Sequence, residues 1–201
     1  MTACSSSQEK QSAPNLFAAE PAGESNPDEQ EYSELFFKNP AYHADGFNFP
    51  AGYPNAKDYY NAQGFKKNNH LGDDWNGKGG GNSDLGDPVH AIANGFVNEA
   101  SHQGASWGNV IRIVHGWKEN NEWHFVESLY AHLDTMLVRK NQWVKKGQKI
   151  GTIGNADGAY YAHLHLEIRS EAEMNLGGGY SYDTTGYLNP TEFIKSHRVL
   201  E

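Results

Sequence analysis

The chain has 201 residues, 37% of them apolar, with 16 Lys+Arg against 25 Asp+Glu for a net charge of −9. That length suits one domain with a tail, and the acidic balance argues against nucleic acid as a partner, which requires a basic patch. A single cysteine, Cys4, excludes an internal disulfide and a four-cysteine zinc finger, and no run approaches the ~18 apolar residues of a membrane helix.

The charge is uneven. Residues 1–45 hold two lysines and eight acidic side chains, so a net −6 lies there and only −3 in the remainder. The segment is rich in Ser, Ala, Pro, Asn and Gln, with few large apolar residues before Leu35. It buries too little to offset its ordering entropy. A disordered tether over 1–45 is therefore expected; the alternative for Tyr32–Phe37 is a short helix packed on the domain.

Residues 46–201 read as the folded domain. Val89–Val97, Asn109–Val114, Trp123–Leu129, Lys149–Ile153 and His163–Ile168 are strand-length runs, several alternating with period two. Asn94-Gly95, Lys146-Gly147, Gly154-Asn155 and Asp157-Gly158 mark turns. Residues Thr191–Lys195, after Pro190, suit a short terminal helix, and no long stretch has helical apolar periodicity. The expectation is a mainly β domain, and at ~155 residues it buries about 70% of its extended-chain surface.

Ten histidines carry the chemistry, and spacing separates them. In a strand, His163 and His165 share one face while Leu164 and Leu166 take the other. Two adjacent imidazoles on an apolar strand are costly to bury without something between them, and a metal ion serves. If extended, His70-Leu71-Gly72-Asp73-Asp74 puts His70 and Asp74 on one face with room at Gly72, while Asp73 faces away and orients a turn or a neighbouring histidine. His, Asp and His are competent zinc ligands, and three of them leave one tetrahedral position open, as in a catalytic rather than a structural site. Alone, each motif is a weak signal: satisfied or exposed histidines account for the first more readily than metal does, and a glycine-containing loop with solvated acids is a common alternative for the second.

The motifs occur together in one order: His70-x-Gly72-x-Asp74, Gly86-Asp87-Pro88-Val89-x-Ala91, Tyr130-Ala131-His132-Leu133, Val144–Gly151 and His163-Leu164-His165-Leu166-Glu167-Ile168-Arg169, closed by Leu188-Asn189-Pro190. This arrangement, over roughly 47–194, resembles the lysostaphin/LytM-type zinc metallopeptidases of bacterial cell walls. The resemblance implies a compact antiparallel β-sheet domain with a substrate groove, one Zn2+ and hydrolysis of peptide bonds in peptidoglycan. It implies zinc on His70, Asp74 and His165, with His132 and His163 as the two active-site histidines that do not bind metal. No His-Glu-x-x-His helix supplies a glutamate base, so histidine, titrating near neutrality, is the expected proton carrier. Tyr130 and Tyr160 are candidate substrate contacts, each with a structural tyrosine as the alternative.

Two features depart from that pattern. Ala162 stands where many relatives have proline, and Asn76–Leu85 (NGKGGGNSDL) is inserted after Asp74. The insert matches neither a phosphate loop nor a calcium loop and is expected as a flexible loop at the groove edge, either shaping specificity or only crossing the surface. The other histidines, the five tryptophans and Lys145-Lys146 are expected mainly in packing and turns. Met1–Ser7 resembles the end of a bacterial lipoprotein signal, which makes Cys4 a lipid-attachment point, the only membrane contact expected, and places the chain in the cell envelope or outside the cell. The alternative is an incidental free thiol. Three functions follow: a zinc endopeptidase acting on peptidoglycan peptides, a non-catalytic wall-binding or regulatory module, and zinc storage. All five expected positions are filled, which favours the first, and the tail holds only His43, which disfavours the last.

Overall fold

The computed structural model describes residues 27–104 and 106–200. Cys4 and the tether before residue 27 lie outside them. At the centre is β6 (Glu122–Met136), a 15-residue strand whose burial is continuous from Val126 to Leu133. The sheet runs β1 (Tyr59–Gln63), β2 (Asp73–Gly77), β9 (Leu164–Arg169), β6, β5 (Asn109–Glu119), β4 (Gly95–His102), β7 (Trp143–Val144). A further strand β8 (Lys149–Ile153) pairs with β6 and with β3 (Pro88–His90), and β10 (Tyr187–Leu188) pairs with β9; every pair is antiparallel. The mainly β antiparallel expectation holds.

β9 and β8 share one edge of β6. Residues Glu127–Ala131 pair with β9 and Leu133–Met136 with β8. Between them stands His132 at φ +62°, a left-handed conformation that is uncommon for a non-glycine residue. The core beneath is aliphatic, with Ile111, Ile113, Ile153, Leu164, Leu166 and Ile168 fully buried. The run Val89–Val97 is not one strand: it breaks at 91–94 between β3 and β4, because Ala91 and Asn94 bond to the 145–148 turn instead of to a strand.

The tether expectation is corrected for residues 27–45. Helix α1 (Pro27–Phe37) lies against the sheet, with Phe36 fully buried and Tyr32 nearly so. Phe36 packs among Phe125, Trp123 and Trp143, at ring centroid distances of 5.8, 6.2 and 5.0 Å. Two aromatic side chains outweigh a polar composition, since each fully buried large apolar side chain contributes about 1.5–3 kcal/mol. At the other end α2 (Pro190–Ser196) is capped by the Asn189 side chain accepting from Glu192 N–H. Asp73, facing away from Asp74, accepts from Phe65 N–H and from the amide and hydroxyl of Thr191, so it orients a turn and the start of α2.

His115 is a satisfied core histidine. Its Nδ1–H donates to the Asn94 carbonyl and its Nε2 accepts from Ser128 Oγ, both at 2.8 Å. Burial pushes its pKa down from 6.5 to about 4, against the Asn94 bond, which raises it. A depressed histidine contributes stability that is complete above the unfolded value and lost as pH falls towards the folded one; here that is about 3 kcal/mol between pH 6.5 and 4. Urea unfolding of the metal-free protein should show the stability difference between it and His115→Gln shrinking over that window. Parallel pH profiles would rule out the linkage.

Candidate metal centre and groove

Strand register assembles the candidate ligands. On the β2–β9 pair Asp74 stands directly opposite His165, and His70 precedes β2 in an isolated bridge with Tyr180. A β-carbon at Gly72 would collide with the Leu166 carbonyl oxygen and crowd the His165 ring, so only glycine lets His70 and Asp74 close on His165. The result is one cluster: His70 Nε2 to His165 Nδ1 is 3.0 Å, His165 Nδ1 to Asp74 Oδ1 2.9 Å and His70 Nε2 to Asp74 Oδ1 3.3 Å. Among the described residues this trio groups its ligand atoms as a metal site does.

These donors fit zinc. Bonds of 2.0–2.1 Å to a tetrahedral ion put its ligand atoms about 3.3 Å apart, close to the three separations here. His, His and carboxylate also suit zinc better than the oxygen-seeking cations. The members of the cluster shift one another's pKa values. Burial pushes His165 down, but its bonds to Asp74 and Glu167 outweigh that and pull it up to about 9. Asp74 is pushed up by burial and more strongly down by His165 and His70, ending well below the usual carboxylate range.

His132 and His163 flank the trio with ring centroids 4.7 Å apart. His163 sits just before β9, bridged to Gly154, rather than within the strand. Each ring is held by Nδ1: His132 donates to the Trp107 carbonyl at 3.2 Å and His163 to the Tyr161 carbonyl at 2.8 Å. Both therefore leave a lone pair on Nε2, and His163 Nε2 lies 3.8 Å from Asp74 Oδ1. Burial, with His165 and His163 nearby, pushes His132 down to about 3.

A groove crosses this cluster. One cavity of about 610 Å³ holds His70, Asp74, His132, His163 and His165 and is walled by Trp107, Gly177–Gly179 and Tyr180. A second of about 690 Å³ shares Gln63, Asp74, Tyr160 and His163 and continues past Asn76, Asn82 and Tyr161. Tyr160 lies in both, 5.1 Å from the His132 ring. Tyr130 does not face the groove, which corrects its expected substrate contact: it is fully buried, and its hydroxyl accepts from Ile92 N–H inside the core. The period of two settles the reason, since Tyr130 and His132 would share a face only in an unbroken strand, and the left-handed turn at His132 ends that alternation.

Tyr180 and Trp107 were not singled out from sequence. Tyr180 packs 5.1 Å from His70, and the indole N–H of Trp107 holds the Gly177 carbonyl at 3.1 Å. The Gly177–Gly179 run was the available signal. The insert after Asp74 lies at the groove edge as expected, tied down by Asn82 Oδ1, which accepts from Ala162 N–H at 2.8 Å. A proline at 162 would lack that donor.

Residues 70–176 match the family model for peptidase family M23. The chain is similar to lipoprotein NlpD of Yersinia enterocolitica, 44% identical over 84 residues that make up 42% of this chain and 78% of that protein. It is equally similar to the murein hydrolase activator NlpD of Escherichia coli (strain K12), over 42% of this chain but only 20% of that protein's length. The solution structure of lysostaphin shares the fold, with a TM-score of 0.53 at 22% identity over 77% of this chain and 55% of that one. The family match spans more than half of the 201 residues and includes the candidate ligands and both flanking histidines, so the chain belongs to peptidase family M23.

Proposed function

We propose that this protein is a zinc-dependent endopeptidase that hydrolyses peptide bonds of bacterial peptidoglycan. The observation that carries the reading is the convergence of His70 Nε2, Asp74 Oδ1 and His165 Nδ1 within 3.3 Å of one another on the floor of a groove. Zinc held there supplies a Lewis acid and a water of pKa about 7. His132 and His163 both present an Nε2 lone pair to a peptide bond lying in the groove: either can take a proton there, and the ring that has done so can then donate it to the carbonyl oxygen or to the leaving amine. Tyr160, between the two arms, positions the peptide. The domain spans 46–201 with α1 packed on it, one Zn2+ is its cofactor, and its place is the cell envelope, through a lipid at Cys4.

A second reading rests on a relative: the similar E. coli protein is a murein hydrolase activator. A regulatory module would bind a wall enzyme and would not need its own ligands. The complete ligand set here supports catalysis instead. Purified sacculi incubated with the zinc-loaded protein should release new muropeptides detectable by mass spectrometry. An unchanged profile, with zinc uptake verified, would favour the activator.

A further inference from the structure

Glu167 and Arg169 lie fully buried behind the candidate metal centre. His165 Nε2, the nitrogen facing away from the ligand cluster, is 3.1 Å from Glu167 Oε1. The other Glu167 oxygen takes the Arg169 guanidinium, at 2.8 Å from Nε and 2.7 Å from Nη2. Glu167 and Arg169 are both 0% exposed. Arg169 spends its remaining N–H groups on the backbone, donating to the carbonyls of Met174, Asn175 and Leu176 at 2.9–3.2 Å. That segment runs directly into Gly177–Tyr180, the groove wall. The far nitrogen of His70 offers a contrast: its Nδ1 is buried and has no hydrogen-bond partner among the described residues.

We infer that Glu167 and Arg169 are positioning residues that orient His165 for metal through Nδ1 and anchor the 174–180 groove wall to the same ligand. The inference rests on His165 being a metal ligand. A carboxylate only accepts, so Glu167 requires a proton on His165 Nε2 and leaves the Nδ1 lone pair for a cation. Arg169 in turn occupies the second carboxylate oxygen, so Glu167 cannot rotate away. The fork that holds Glu167 also holds three wall carbonyls, so a shift of His165 on metal binding reaches the wall through two rigid contacts. Partners of this type alter metal affinity when removed.

Competition titration with zinc alone tests this. Glu167→Gln has one acceptor for two donors, His165 and Arg169, and is expected to weaken zinc binding by about 10–100-fold. Glu127→Gln is the control: Glu127 is equally buried and pairs with Arg112 at 2.7 Å, in reach of the same wall, but does not touch His165. It is expected to leave zinc affinity near that of the unsubstituted protein. Equal losses in both would reduce the effect to loosened packing and overturn the inference, as would unchanged affinity in Glu167→Gln. Absence of zinc uptake by the unsubstituted protein would overturn the metal reading together with this one. A measurement without substitution guards against misfolding: in the zinc-loaded protein, imidazole 15N spectra should show His165 protonated at Nε2, and protonation at Nδ1 would overturn the inference. Zinc should also slow amide exchange at Ser181 and Leu71, which bond to Asn69 and Gly179 across the wall, and Arg169→Lys should abolish that response; an undiminished response would overturn the wall coupling.

Discussion

Loss of one metal ligand should give the largest effect. His165→Ala is expected to lower zinc affinity by about 10²- to 10³-fold, since even a four-ligand structural zinc site is worth only about 10–16 kcal/mol shared among its ligands, and to lower turnover by about 10³-fold or more, because a Lewis acid contributes several kcal/mol to peptide hydrolysis. The substitution also leaves Asp74 and Glu167 without the imidazole that hydrogen-bonds both, so the metal-free variant is destabilised. Asp74→Asn is the gentler companion, nearly isosteric and on the cluster's solvent side. Zinc content per chain in both variants, beside a wild-type sample loaded to saturation, decides the assignment. Stoichiometric zinc in each at micromolar free metal would remove these residues from the site.

The second large effect separates chemistry from metal binding. His132→Ala is expected to keep its zinc and lose about 10²–10⁴ in turnover, the range for a general acid or base. His132 sits at φ +62°, where alanine costs about 1–2 kcal/mol, so some loss could come from a strained backbone. His132→Asn resolves this, because asparagine tolerates the left-handed region and presents no imidazole. Both variants should be equally slow. A substantially active His132→Asn would mean that position 132 matters for its turn, not for proton transfer.

Some of this was legible in the residues alone. Lys149–Ile153 emerged as β8 with the boundaries the alternating run suggested, and the ligand spacing of His70, Gly72, Asp74 and His165 predicted a cluster that the strand register then closed. Local patterns encode such features, because period two decides which side chains share a face. The groove side of β6 was less legible: Tyr130 and His132 have the spacing of one face, and the backbone turn at His132 that separates them leaves no mark in the sequence. For the tail, composition favoured a tether and left the packed helix at Tyr32–Phe37 as an alternative, for a different reason. Composition measures what a segment can bury by itself, whereas α1 is held by Phe36 fitting between rings from β6 and β7.

The sequence by itself determined the β class and the family and brought forward five candidate site residues, since these rest on residue type and short spacing. Only the tertiary structure decided what stands behind and around them. The period of two sets His165, Glu167 and Arg169 on one face of β9, but only the fold brings the 174–176 carbonyls onto the Arg169 guanidinium. Trp107 and Tyr180 lie far along the chain from the histidines they wall in. Contacts between residues 25–110 positions apart are made by strand register and loop closure, and no local pattern records them.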